Sequence, residues 1–198
     1  MYSIGLDTSH QFLLIALMDD NGLIDYQQIA CLKQQSEYII GKMDELLKRN
    51  NLNVQQIDNY VITEGPGSYT GVRIAMTVAK VLGSIAEKNI YTLSTLQLYA
   101  GMNDCYVFMD ARAKRVYAGR YRNGVALIED TVYPNQQAEE IMNNEDVMFI
   151  GDLHLFGKED YWPTPAENFF SLKPMWKKVE NIDILAPTYL KSKEEYLK

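Results

Sequence analysis

Residues 64 to 75 read EGPGSYTGVRIA and set Gly65, Gly67 and Gly71 among Pro66, Ser68, Thr70 and Arg73, just ahead of a long apolar stretch. Three chemistries use strings of this kind, and spacing separates them. A dinucleotide fold needs G-x-G-x-x-G so that its helix starts under the pyrophosphate. Here the spacing is G-x-G-x-x-x-G, one residue too long. A Walker-type phosphate loop ends in Gly-Lys-Ser/Thr, whereas Gly71 is followed by Val72 and Arg73. A hydrolase elbow frames its nucleophile as G-x-S-x-G, but Ser68 lies between Gly67 and Tyr69, with Pro66 and Thr70 outside them. His10 and His154, the two histidines of the chain, give Ser68 no nearby base in sequence and lie too far apart to suggest a metal pair. The string does supply a sharp turn. Proline fixes φ, glycine permits the bend, and Ser68 or Thr70 can cap a helix whose positive end can receive an anion.

The elements that position this turn follow from periodicity. YSIGLDTS, QFLLIALM and LIDYQQIACL read as three strands, the first ending in Asp7 and Thr8. DDNG joins the second and third, and Asn21-Gly22 predicts a tight hairpin with two positive φ angles. From Ser36, a plausible N-cap, Ile39, Ile40, Met43, Leu46 and Leu47 recur at helical spacing as far as KRNN. NYVIT is a strand, and a helix from about Thr70 to Lys88 follows the turn. The order βββαβα implies a mixed α/β sheet with helices over it, because a parallel strand is reached by a crossover. IYTL and STLQLYAG add a strand and a helix. After Asp104 come short strands, CYVFMD, RVYAGRY and VALIED, with Asn123-Gly124 as a second tight turn. A lobe boundary is placed there, dividing residues 1–103 from a smaller lobe of 104–198. NQQAEEIMNN reads as a helix and DVMFIGD as a strand. The proline-bearing tail has no strong period, and its last part, 186–198, is available to pack back on the first lobe.

Bulk properties narrow the function. The net charge of −7 argues against a large nucleic-acid footprint, since phosphate binding depends on clustered Lys and Arg. The local exception is DARAKRVYAGRYR, with Arg112, Lys114, Arg115, Arg120 and Arg122 on what reads as a solvated hairpin. No apolar run approaches the length of a membrane helix, and the first residues do not resemble a secretory signal. Cys31 and Cys105 stand in no metal or redox spacing, which fits a reducing cytoplasm.

Taken with the βββαβα order, the strings IGLDTS, EGPGSYTGVRIA, DARAKRVYA and APTYLK resemble the bacterial TsaB (YeaZ) family along the whole chain. The resemblance implies an actin-like ATPase (ribonuclease H-like) fold with a reduced second lobe. Asp7 and Thr8 would then occupy a vestigial phosphate position, where an acidic residue of that superfamily orients a magnesium-bound phosphate. It further implies a cytoplasmic, non-catalytic scaffold for the tRNA threonylcarbamoyladenosine modification, which dimerises with TsaD and lets the ATPase TsaE dock. A homodimer would form when TsaD is absent. ATP and a metal would belong to the partners, and this chain would require no cofactor. The catalytic relative carries a His-x-x-x-His pair, and the matching STLQLYAGMN has no histidine.

The helices suggest the interface. Ile74, Val78, Val81 and Ile85 form one apolar face of the second helix, suited to the sheet. Val72, Ala75, Met76, Ala79 and Gly83 form another, where small residues spaced by four admit a second helix. With Ile39 and Met43 they are the expected partner surface. tRNA would be met mainly through partners, with a minor contact at Arg112, Lys114 and Arg115. Two other readings remain open: an actin-like-fold ATPase or small-molecule kinase using Asp7 and the Gly65 to Thr70 turn, and a serine peptidase-like protein using Ser68.

Overall fold

The computed structural model describes residues 1–31 and 33–192. Strands β1 (Tyr2–Asp7), β2 (Phe12–Met18) and β3 (Leu23–Ala30) form an antiparallel meander. Helix α1 (Gln35–Arg49) carries the chain to β4 (Ile57–Thr63), and α2 (Tyr69–Ala86) carries it to β5 (Asn89–Leu93). β4 runs parallel to β1 and β5 parallel to β4, as helical crossovers require. The first sheet is completed at its edge by the two-residue β10 (Lys177–Lys178), in the order β10-β5-β4-β1-β2-β3. A second sheet, β8-β7-β6-β9, consists of β6 (Cys105–Arg112), β7 (Arg115–Arg122), β8 (Val125–Pro134) and β9 (Met148–Gly151). Helices α3 (Thr95–Ala100), α4 (Asn135–Asn144) and α5 (Ala166–Ser171) complete the fold. This is the mixed α/β arrangement that the βββαβα order implies, and the actin-like, ribonuclease H-like fold that the family resemblance implies.

Alternation along the strands decides which helix covers which face. Ile4, Leu6, Leu13, Ile15, Leu17, Tyr60 and Ile62 face α1 and α2, meeting Ile39, Met43, Leu46 and Leu47 of α1 and Ala75, Met76 and Ala79 of α2. The opposite face, with Leu14, Ala16, Met18, Val61 and Leu93, is covered by Leu98 of α3 and by Ala166, Phe169 and Leu172 around α5. Phe169 is fully buried, worth about 1.5–3 kcal/mol in apolar transfer. Helix α3 is shared, since its Leu96, Tyr99 and Ala100 pack against Cys105, Val107, Met109, Tyr117 and Tyr121 of the second sheet. A six-residue helix therefore sits between the two sheets and fixes their relation.

Three local expectations are corrected. Helix α1 starts at Gln35 without a side-chain cap, and Ser36 lies exposed inside its first turn. The start is anchored instead by Gln35 Nε2, which donates to the His10 carbonyl at 2.9 Å. The turn between β2 and β3 is built by Asp19, whose Oδ1 accepts from the backbone N–H of Asn21 at 2.7 Å and of Gly22 at 3.1 Å. Asn21 has no positive φ there, whereas Asn123 and Gly124 adopt the predicted pair at 52° and 77°. The tail is more ordered than its lack of period suggested, since α5 and β10 both lie in it.

The described part of the tail reaches both sheets. Thr188 N donates to the Glu64 carbonyl at 2.7 Å, Leu190 packs on the second sheet's core, and Lys191 Nζ donates to the Ala111 carbonyl at 2.5 Å. Residues 193–198 lie outside the described residues. No helix among the described residues is long and apolar enough to cross a membrane.

Candidate functional site

Asp7 ends β1 with its side chain wholly buried, and its environment decides what it can do. Oδ1 accepts from Ser9 N at 3.0 Å, Ser9 Oγ at 2.6 Å and Thr63 Oγ1 at 2.6 Å. Oδ2 accepts from the Tyr99 hydroxyl at 3.1 Å. Burial, reinforced by the Asp7 charge, pushes the Tyr99 hydroxyl well above its ordinary pKa, so it stays a donor. Thr8 is engaged as well: its Oγ1 donates to the Gly71 carbonyl at 2.6 Å and accepts from Ala75 N at 3.1 Å. Four hydrogen bonds from the chain's own donors, three of them to Oδ1, thus fix the Asp7 carboxylate in this junction.

The glycine string serves the same junction. Ser68 N donates to the Ser9 carbonyl at 2.7 Å, drawing the turn onto the β1–β2 connection. A Cβ on Gly67 would meet the Ser9 carbonyl at 2.5 Å, and one on Gly71 would overlap the Thr8 carbonyl. Gly65, at φ 109°, faces the Thr188 carbonyl of the tail, and the Gly65–Pro66 peptide is cis. All three glycines thus permit close approach of the chain to itself. Ser68 is the N-cap of α2, its Oγ accepting from Gly71 N at 3.2 Å. Thr70 is exposed. Arg73 stacks its guanidinium 3.9 Å from the Tyr69 ring centre, and its Nε donates to the Tyr189 hydroxyl at 2.8 Å, clasping the tail.

The second side of the junction carries groups that sequence reasoning did not connect. His10, from the β1–β2 connection, places Nε2 3.3 Å from Oδ2 of Asp152, at the end of β9. Trp162 lies against both His10 and Tyr99, at ring-centre distances of 4.3 and 4.7 Å, and its Nε1 donates to Asp152 Oδ1 at 3.1 Å. Asp110 N donates to Asp152 Oδ2 at 2.7 Å. Burial would push the Asp152 carboxyl up, but His10 and these N–H donors outweigh it and hold the carboxyl below the usual range. His154, two residues on, contacts Asp160. Both histidines therefore converge near Asp152, although sequence set them far apart, while Ser68 Oγ accepts from Gly71 N as a helix cap.

Helix α2 presents the opposite face from the one expected. Val72, Ala75, Met76 and Ala79 are buried in the chain's own core, as are Ile39 and Met43 of α1. Gly83 abuts Ile90 and Ile182. The small-residue stripe lets α2 lie close on the sheet, while Val81 and Ile85 are left 50% and 81% exposed. Ile40 of α1 is 56% exposed, and a Cβ on the adjacent Gly41 would meet nothing within 4 Å. The large apolar side chains that α1 and α2 leave exposed are Tyr38, Ile40, Val81 and Ile85.

The β6–β7 hairpin exposes Arg112 and Lys114, which with Ala113 take three successive left-handed φ values of 63°, 53° and 56°. Arg112 pairs with Asp110 at 3.1 Å, and Arg115 is half-buried. Arg120 departs from the expected solvated face: it is buried, bonded to Asp104 and to the Tyr121 carbonyl. Burial also pushes the Cys105 thiol up to about 11, which leaves it an inert core side chain.

Comparison with known proteins supplies the remaining context. A family model described as TsaD, tRNA N6-adenosine threonylcarbamoyltransferase, matches residues 30–150. The chain is 29% identical to the tRNA threonylcarbamoyladenosine biosynthesis protein TsaB of Bacillus subtilis (strain 168), over 98% of this chain and 96% of that one. It is 25% identical to the TsaB of Escherichia coli (strain K12), over 74% of this chain and 64% of that one. Two solved structures share the fold: YeaZ from Pseudomonas aeruginosa, with TM-score 0.72 at 20% identity, and an uncharacterized protein with similarity to peptidase YEAZ from the same organism, with TM-score 0.76 at 18% identity. Each pairing covers 96% of this chain and 99% of the other.

Proposed function

The chain belongs to the TsaD family, in its TsaB (YeaZ) branch, whose relatives work in tRNA threonylcarbamoyladenosine biosynthesis, and on that premise we propose that it is a non-catalytic subunit supporting a TsaD transferase. The observation that carries the non-catalytic reading is the saturation of Asp7 by Ser9, Thr63 and Tyr99. A phosphate-handling role would instead turn that carboxylate toward a metal ion or its bound water. Here it holds the junction of the two sheets together, and Trp162 and His10 pack beside it. ATP and the metal of the transfer reaction then belong to partner subunits, and this chain requires no nucleotide of its own.

The partner surface of this reading is the outward side of α1 and α2. Exposed Ile40, Val81 and Ile85, beside the open position at Gly41, suit helices of a related subunit. TsaD occupies this surface in the working complex and TsaE docks on the pair; a second copy covers it when TsaD is absent. tRNA is held chiefly by those partners, because the net charge of −7 opposes a polyanion, with Arg112 and Lys114 adding a minor contact. Buried free thiols at Cys31 and Cys105 fit a cytoplasmic setting.

Two measurements test this function. Threonylcarbamoyladenosine formation on tRNA is reconstituted with TsaD, TsaE, Mg-ATP and an activated threonylcarbamoyl donor, with and without this chain, and product is expected only in its presence. Calorimetry with Mg-ATP is expected to be silent for the isolated protein. Micromolar binding with turnover would instead assign an ATPase.

A further inference from the structure

Residues Thr188, Tyr189, Leu190 and Lys191 cross from one sheet to the other, and each makes its own contact. On the first side, Thr188 N donates to the Glu64 carbonyl at 2.7 Å. The Thr188 carbonyl lies against Gly65, where a Cβ would meet it at 2.8 Å. The Tyr189 ring stacks on Tyr69 at a ring-centre distance of 5.3 Å, and its hydroxyl accepts from Arg73 Nε at 2.8 Å. On the second side, Leu190 packs against the core that includes Tyr117, Tyr121 and Ile150. Lys191 Nζ donates to the Ala111 carbonyl at 2.5 Å and lies 5.9 Å from the Tyr117 ring centre.

Two features set this crossing apart from a tail resting on a surface. Lysine is rarely buried, because the interior must give its ammonium the partners it loses with water. Lys191, 9% exposed and held by a carbonyl beside an aromatic face, is therefore an anchored end. The other end has a receptor built into the glycine-rich string. Gly65, at φ 109°, leaves room for the Thr188 carbonyl, while Tyr69 and Arg73 meet Tyr189 with a ring and a guanidinium. Between the two ends lies a cleft of about 350 Å³, whose walls include Glu64 and Ser94 from the first side, Tyr121 and Asp130 from the second, and Thr188 and Leu190 themselves. Ser94 donates to Asp130 across this gap, and the crossing segment bridges it a second time.

We propose that residues 188–191 are a clasp across the cleft, with Gly65, Tyr69 and Arg73 as its receptor, and that the clasp opens and closes as one unit. Its two ends bear on the first turn of α2 and on the β6 end of the basic hairpin, since Ala111 adjoins Arg112. Local opening of this kind couples segments that are distant in sequence. The first turn of α2 and the hairpin of residues 110–115 are thus linked through four residues of the tail. The clasp needs no partner subunit, so it stands apart from the transferase-support reading.

Hydrogen–deuterium exchange on the full chain, alone in solution, tests the clasp with Tyr189→Ala and Lys191→Met beside the wild type. Tyr189→Ala is expected to speed exchange by about threefold or more in residues 64–73 and also in the 110–115 hairpin, although the Tyr189 ring rests on α2. Lys191→Met is expected to do the same in the hairpin and again in residues 64–73, although the ammonium rests on the second sheet. The buried strand β1 should keep its wild-type exchange in both variants, which separates release of the clasp from global unfolding. The proposal is overturned if each variant alters only the side its own residue contacts, if neither alters exchange at all, or if β1 speeds up in step with the rest.

Discussion

The Tyr99 hydroxyl donates to Asp7 at 3.1 Å and so ties the helix between the two sheets to the end of the first strand. Both groups are fully buried. Tyr99→Phe leaves one carboxylate oxygen without its donor and is expected to lower the unfolding free energy by about 1.5–3 kcal/mol. Urea denaturation of the two proteins reads this directly. A loss near zero would mean that the hydrogen bond is not a structural tie.

Close packing on the far face of the sheet gives a second prediction. A Cβ on Gly5 would meet the Phe169 ring at 2.5 Å. Gly5→Ala is therefore expected to destabilise by about 1–3 kcal/mol, and Phe169→Leu to recover part of that loss in the double variant. A double-mutant cycle with no coupling would contradict the contact.

The Arg49 guanidinium holds the Asp25 carboxyl below the usual range, with Nε–Oδ2 at 2.5 Å and Nη2–Oδ1 at 2.7 Å; the Asn50 amide assists. A carboxyl with a depressed folded pKa contributes stability above its unfolded value, near 3.9, and loses it as pH falls through the folded value. Arg49→Met should cost about 0.5–1 kcal/mol at neutral pH, since the pair is partly exposed. The difference from wild type should persist to about pH 4 and shrink below it. Melting curves from pH 7 to about pH 2 follow the trend, and a constant difference across that range would refute it.

Local order was legible where one signal acted alone. The spacing of Ile39, Met43, Leu46 and Leu47 marks α1, and Asn123-Gly124 marks its turn, because neither depends on distant partners. Helix α2 was harder: it is apolar on two faces, and only the sheet decides that Ala75 and Ala79 turn inward while Val81 and Ile85 turn out. Helix α5 spans six residues, too short to show a period, and forms because Phe169 finds the gap above Gly5. The string around Ser68 was visible as a turn, but its glycines are explained by Thr8, Ser9 and Thr188. The meeting of His10, Asp152 and His154 is a product of topology, since the first strand connection and the end of β9 become neighbours only once both sheets have formed.

The central claim is that the outward side of α1 and α2 receives a TsaD partner, and binding of the cognate TsaD by calorimetry tests it most directly. Wild type is expected to form a one-to-one complex. The double variant Val81→Glu, Ile85→Glu places two charges on exposed positions, so it should keep its melting temperature while its affinity for TsaD falls by about tenfold or more, the equivalent of about 1.4 kcal/mol. Unchanged affinity in a folded double variant would contradict the account.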